Sequence, residues 1–498
     1  MKRTLIIIAL ALLTLTAGAE SKNFKLGKWV EIHNAIMKEL GRSYVDSIPV
    51  DRIERAAIDA MLAELDPYTV YVSAEEQEDF QMQIGKVYGG VGAIIYKPDL
   101  NGNVVINEPY AGSPAVKAGL RCGDEILAIN GESVHGQDSK ACSDKMRGAP
   151  GTDVRFLVKR VYERDTVEIV VTREKIHLPD VEYSGMLDAT TGYISQSGFT
   201  EGVSDEIREC VVALKKQGMK RLVLDLRGNG GGLMQEAIRI VSIFVPRGSV
   251  VVTSKGRDPK DVDVYRTYEA PVDTKLPLIV LVDSGTASSA EIVSGALQDL
   301  DRATIMGRRT FGKGLIQSIK PLPYGGQLKV TTGKYYTPSG RCVQAIDYSH
   351  RNADGSVSHI PDSLTHEFRT KGGRIVRDGG GITPDVELEA PHYDDIVYSL
   401  VMRGIVEQYM LKYVSEHESI APVESFAFDD YDGFLAFAAE KLPEADKPKL
   451  EGLVPAQILP FIEEEIVVRY YYQAAGVQLR IRYDSELKAA LTSPMVFN

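Results

Sequence analysis

Cysteine is scarce: four in 498 residues, with no Cys-x-x-Cys pair among them and no His-Glu-x-x-His anywhere. So few thiols cannot staple a chain of this length, which excludes a disulfide scaffold. Cys122 and Cys142 fall in one small segment and are a candidate pair; Cys210 and Cys342 are not expected to bridge. The eight histidines are scattered through mostly polar segments, so no metal site and no cofactor is expected. Basic residues are in deficit as well, 57 Lys and Arg against 69 Asp and Glu, a formal net charge of -12. Phosphate backbones demand the opposite balance, so nucleic acid is not expected as a partner. A second long apolar run is also missing. After Leu15 nothing approaches the ~20 residues of a membrane-spanning helix, and the mature protein is expected to be soluble.

What is present is a folded composition, 44% apolar and 25% charged, over a length that calls for two to four domains. Lys2 and Arg3, the apolar run Leu5 to Leu15 and the small residues Ala17 and Ala19 read as a secretory signal over residues 1–19, cut after Ala19. The alternative is an uncleaved anchor, for which the run is short. Export to the periplasm or cell envelope of a bacterium is the matching expectation.

Residues 20–84 read as a helical region. Ile32, Ile36, Leu40 and then Ile53, Ala57, Met61 and Leu65 recur at three- and four-residue spacing, and Asp66-Pro67 closes the second helix. It is too small to be stable alone and is expected to pack on the core or on another subunit. Residues 85–175 change to short β-rich runs broken by Asn-Gly and Gly-Asp turns. Residues 176–390 alternate strand and helix: Leu222–Leu226 and Leu278–Val282 read as buried strands, with helices running to Phe244 and from Ser288 to Leu300. Within that span Asp347 to Gly381 is polar and glycine-rich, an insertion or flexible loop. Residues 391–498 are mostly amphipathic helix, for example Phe461 to Tyr472, and carry no chemical motif.

In the β-rich segment, Tyr88-Gly-Gly-Val-Gly-Ala93 precedes a strand, and Ser113-Pro-Ala-Val-Lys-Ala-Gly-Leu120 and Gly123-Asp-Glu-Ile-Leu-Ala-Ile-Asn-Gly131 follow. In order and spacing these closely resemble a PDZ domain. Successive N–H groups of such a glycine loop can turn toward one point and bind an anion, while the adjoining strand edge takes an extended peptide by β-addition. The resemblance implies a bound peptide C-terminus with its carboxylate on the Gly89, Gly90, Val91, Gly92 loop. Without the rest of the module, the glycines would read as a tight turn.

Three further loops carry chemistry. Arg227-Gly-Asn-Gly-Gly-Gly232 exposes backbone N–H groups ahead of a helix, lacks the Lys-Ser/Thr of a phosphate loop, and suits an oxyanion hole. Ser288, with Glu291 three residues on, spells a capping box, yet a helix N-terminus also favours developing negative charge. Lys313 stands between Gly312 and Gly314. Such a lysine is ordinarily exposed and inert, and serves as a base only if burial lowers its pKa.

In this order behind a PDZ-like segment, the three loops resemble the carboxyl-terminal processing (tail-specific) serine peptidases, family S41. The family's Leu-Arg-x-Asn-x-Gly-Gly appears as Leu226 to Gly232, its serine box as Thr286-Ala-Ser-Ser-Ala-Glu291, and its Gly-Lys-Gly with following Gln as Gly312 to Gln317. Leu65-Asp-Pro-Tyr68 and Ile382-Thr-Pro-Asp385 extend the likeness from about residue 30 to 390. Ser289 and Ala290 exchange the usual Ala and Ser. The resemblance implies an α/β multidomain chain: a mixed α/β spiral core of the crotonase/ClpP kind, an inserted PDZ domain, and helical N- and C-terminal regions. It implies Ser288 as nucleophile, Lys313, 25 positions later, as base, and Gln317 orienting the lysine. The N–H groups of Gly231 and Ser289 would form the oxyanion hole. Asp299 lies eleven residues beyond Ser288 on one helix, about 16 Å away, and is expected to be structural. Expected partners are protein or peptide substrates with apolar C-termini, a second copy through the helical ends, and an adaptor protein. Two rival readings are a silent PDZ adaptor with a peptidase-like core and an acyl-coenzyme A enzyme; the Ser288/Lys313 pair speaks against both.

Overall fold

The computed structural model describes residues 21–98, 101–160, 165–352 and 354–494; the secretory signal expected over 1–19 lies outside them. The chain divides into two compact units, Met1–Tyr71 and Val72–Asn498. In the first, helix Lys22–Ser43 is capped by the Ser21 hydroxyl, and helix Val50–Ala63 follows. Lys22–Ser43 buries none of its residues, and Trp29 and Leu26 stand about two-thirds exposed. Among the described residues no helix is long and apolar enough to cross a membrane.

The second unit opens with helix Gln77–Gly85 and then the β-rich module. Its strands Ala93–Tyr96, Val105–Pro109, Glu125–Ile129, Asp153–Lys159 and Thr166–Thr172 form one antiparallel sheet. Strict alternation puts Val154, Phe156 and Val158 inward and Asp153, Arg155 and Leu157 outward. With helix Ser139–Met146 these inward residues make the module's own core, which also holds Cys142. Cys122 packs instead on the C-terminal helical cluster, and both thiols are free. The expected bridge does not form because the two side chains serve different cores. Burial pushes the Cys122 thiol up to about 12.

The chain then enters a six-stranded sheet in the order Val181–Met186, Thr191–Gln196, Arg221–Asp225, Leu278–Val282, Thr304–Gly307, Val386–Glu387. All neighbours are parallel except the first pair. Both faces are covered, which is why the central strands read as unbroken apolar runs. Leu222, Leu224, Val280 and Val282 pack under helices Val203–Lys216, Met234–Phe244 and Ser289–Asp299. Val223, Ile279 and Leu281 face the other way, onto Val477, Leu487 and Ala490 of the C-terminal region.

One expectation is corrected here. The polar stretch 347–381, read as an insertion or flexible loop, carries two small antiparallel ladders, Ile346–Arg351 with Val357–His359 and Glu367–Arg369 with Ile375–Arg377. The helix expected over Phe461 to Tyr472 is present, as part of a longer one, Pro455–Tyr483, interrupted at Tyr472, whose φ is +67°.

Candidate active site

The loops that leave Arg221–Asp225 and Leu278–Val282 emerge side by side, because those strands are parallel neighbours. They are bonded directly. The Thr286 hydroxyl donates to the Leu226 carbonyl at 2.8 Å, and the Ala287 N–H to the Asn229 carbonyl at 2.9 Å. Gly231 presses against this turn. A Cβ there would lie 2.7 Å from Ser288 Cβ and 2.8 Å from the Ala287 oxygen, and its φ of +93° is one that side chains avoid. Only glycine fits.

Ser288 is half-buried at the N-terminus of helix Ser289–Asp299, with φ +56° and ψ -117°. A non-glycine residue there carries strain of about 1–3 kcal/mol and is usually found where function requires it. The expected capping box is present, with Glu291 reaching back to accept the Ser288 N–H at 2.9 Å.

Glu291 does more than the sequence suggested. Fully buried, it accepts hydrogen bonds from the Thr310 hydroxyl (2.6 Å) and the N–H groups of Gly312 (2.8 Å), Lys313 (2.8 Å) and Ser288. Burial pushes its carboxyl above the ordinary range, against the pull of these four donors. One carboxylate thus sets the backbone of Lys313 relative to that of Ser288. Tyr335 was not singled out from sequence at all. It is buried, its hydroxyl donates to the Ser288 carbonyl at 3.1 Å, and burial keeps it un-ionised.

Ser288, Ser289, Gly231, Lys313 and Gln317 line one cleft of about 540 Å³. Lys313 is half-buried there, between strands that also bring Tyr335 and Leu315 to the wall. The Gln317 amide donates to the Thr331 hydroxyl at 3.2 Å, across the ladder of Leu315–Pro321 with Gln327–Tyr336. Of the two amides expected to form an oxyanion hole, that of Ser289 opens the helix and has no intrahelical acceptor. That of Gly231 is different: it donates to Asn229 Oδ1 at 2.9 Å. Asp299 is remote, as expected. Fully buried, it receives the Thr337 hydroxyl, the Ser339 N–H and Arg341.

The glycine loop of the β-rich module is only partly what its sequence suggests. Gly89 and Gly90 lie in strand Val87–Gly90, paired with Glu174–His177. Val91 and Gly92 do line a second cleft of about 210 Å³, with Ile94, Tyr110, Ser143 and Met146. It runs between strand Ala93–Tyr96 and helix Ser139–Met146.

The arrangement can support acyl transfer: a presented hydroxyl, an amine and an unpaired helix-terminal N–H share one cleft. Among the described residues no cluster could hold a metal ion. Residues 190–349 match the model of peptidase family S41 and residues 105–160 that of the PDZ domain. A carboxy-terminal-processing protease of Bartonella bacilliformis is 34% identical over 339 residues, covering 67% of this chain and 76% of that protein. The chain belongs to peptidase family S41. A probable CtpA-like serine protease of Staphylococcus aureus (strain bovine RF122 / ET3-1) is 33% identical over 364 residues, 72% of this chain; the match spans only 65% of that relative's length. Among solved structures, a photosystem II D1 C-terminal processing protease aligns with a TM-score of 0.38 at 29% identity, over 72% of this chain and 86% of that one. The S41 match contains Ser288, Lys313 and Gln317, and it stops well short of the C-terminal helices.

Proposed function

We propose that this S41 chain is a serine endopeptidase working through a Ser288/Lys313 dyad. The observation that carries the reading is the convergence of Ser288, Lys313 and Gln317 on one cleft. In the reaction, Ser288 Oγ attacks the scissile carbonyl carbon while neutral Lys313 Nζ accepts its proton. The same amine then protonates the leaving nitrogen. Water, deprotonated by Lys313, attacks the acyl-enzyme and releases the new C-terminus. The Ser289 N–H and the Gly231 loop receive the oxyanion; for Gly231 this means sharing or leaving its bond to Asn229. Gln317 orients the lysine. The sheet with helices on both faces supports a core of the crotonase/ClpP spiral kind.

Substrate tails enter at the PDZ module. Support comes from the cleft beside strand Ala93–Tyr96, whose apolar walls suit an apolar C-terminal side chain. The basic and apolar leader supports export, with envelope proteins as substrates. The exposed apolar residues of Lys22–Ser43 support association through the helical ends, with a second copy or an adaptor.

The test is proteolysis of a loosely folded protein with an apolar C-terminus. Ser288→Ala and Lys313→Ala should each lower turnover by about a thousandfold or more, with melting temperature and tail binding retained. Normal cleavage by both variants would sink the dyad. A wild-type chain that binds tails but cuts nothing would be the silent adaptor.

A further inference from the structure

The last hundred residues lie outside both matched segments and carry no motif, yet they end on the loops that hold Gly231 and Ser288. We propose that Asp484 and Glu486 are positioning residues for the reaction, fixing the 227–232 loop and the 283–288 turn through Arg227 and Arg308. The inference rests on the peptidase reading above.

Packing brings the two carboxylates there. Val477, Leu487 and Ala490 cover one face of the core sheet, which delivers the intervening residues to the C-terminal ends of its strands. Arg227 Nη2 then donates to Asp484 Oδ2 at 2.5 Å, and Nη1 to Glu486 Oε2 at 3.1 Å. Nη1 also donates to Asp484 Oδ1 at 3.3 Å, and the other bonds of that guanidinium go back to Asp225, Nε to Oδ1 at 3.0 Å among them. On its other oxygen, Glu486 accepts Arg308 Nη1 at 2.8 Å, and Arg308 Nη2 stands 3.8 Å from Asp283. Asp283 Oδ1 in turn accepts the N–H groups of Gly228 (2.8 Å) and Gly285 (2.9 Å). A closed circuit of charge and hydrogen bonds therefore joins both loops to one helix end.

Its members are well shielded: Glu486 is 6% and Arg227 17% exposed. Pairs so placed are screened little by salt and hold geometry better than surface bridges do. Asp484 also caps the following helix by accepting the Leu487 N–H at 2.8 Å, so the carboxylate is itself held. A displacement of about 1 Å at the oxyanion loop is enough to cost orders of magnitude in rate.

The experiment uses the full-length chain, an internally quenched peptide with a free apolar C-terminus, and the double variant D484N/E486Q. The expected result is a fall in kcat of about tenfold to a hundredfold, with KM and tail-peptide affinity within twofold. Glu486→Asp, which keeps the charge, should recover most of the single Glu486→Gln loss. Unchanged kcat in a folded double variant, or a loss confined to KM or to the folded fraction, would overturn the inference. Should the double variant fail to fold, Asp484→Asn alone, which leaves Glu486 bridging both arginines, is read by the same criteria. An inactive wild type would bring down the peptidase reading and this inference together; an active wild type with an unimpaired variant brings down this inference alone.

Discussion

Two glycine-rich loops read alike in the sequence, and the structure uses them differently. Both Arg227–Gly232 and Tyr88–Gly92 expose main-chain N–H groups ahead of regular structure, and both invite an anion. In the first, glycine is required by proximity: Gly231 abuts the backbone on either side of Ser288. In the second, half of the loop is spent on the ladder with Glu174–His177, and only Val91 and Gly92 reach the cleft. A run of glycines marks a place where backbone comes close to something. What it comes close to is decided by residues far away in the chain.

Substitutions with one added methyl group break or sharpen that contrast. The largest effect belongs to Gly231→Ala, whose Cβ would meet main-chain atoms that cannot give way. Turnover should fall at least about a hundredfold while tail-peptide affinity measured by fluorescence anisotropy stays put; an active Gly231→Ala protein would end the oxyanion assignment. Next is Gly92→Ala, with φ +74° and a Cβ 2.6 Å from that of Ser113. Left-handed backbone plus this clash should weaken the tail-peptide Kd about tenfold. Affinity equal to wild type would show that Gly92 does not shape the cleft. The smallest belongs to Gly90→Ala, where the added carbon meets the side-chain ring of Tyr88 and no backbone atom within 3.4 Å. A change in Kd below about threefold is expected, and a larger loss would return Gly90 to the carboxylate cradle.

Much of this was legible before the structure. Leu278–Val282 is a strand with the bounds its sequence suggests, and Leu222–Leu226 is one residue off the strand Arg221–Asp225, because unbroken apolar runs are local signals. Ser288, Lys313 and Gln317 follow from the resemblance to the family's motifs, and they share a cleft. The rest depended on partners distant in sequence. Nothing around Gly89 announces a strand partner at Glu174–His177. Asp484 and Glu486 look like ordinary residues at a helix junction. Their meeting with Arg227, more than 250 positions earlier, follows only from how the C-terminal segment packs on the sheet. The polar stretch 347–381 misled for a related reason: its ladders are two- or three-residue pairings, too short for a period-two pattern.

The tether made by Glu291 has a practical side. It grips residue 288 by the main-chain N–H and residue 313 in the same way. Replacing the serine by alanine removes the hydroxyl but none of the four bonds that Glu291 accepts. A Ser288→Ala chain should therefore keep the shape of the working enzyme and hold uncut clients long enough for affinity capture, which makes it the natural bait for identifying what this protein acts on.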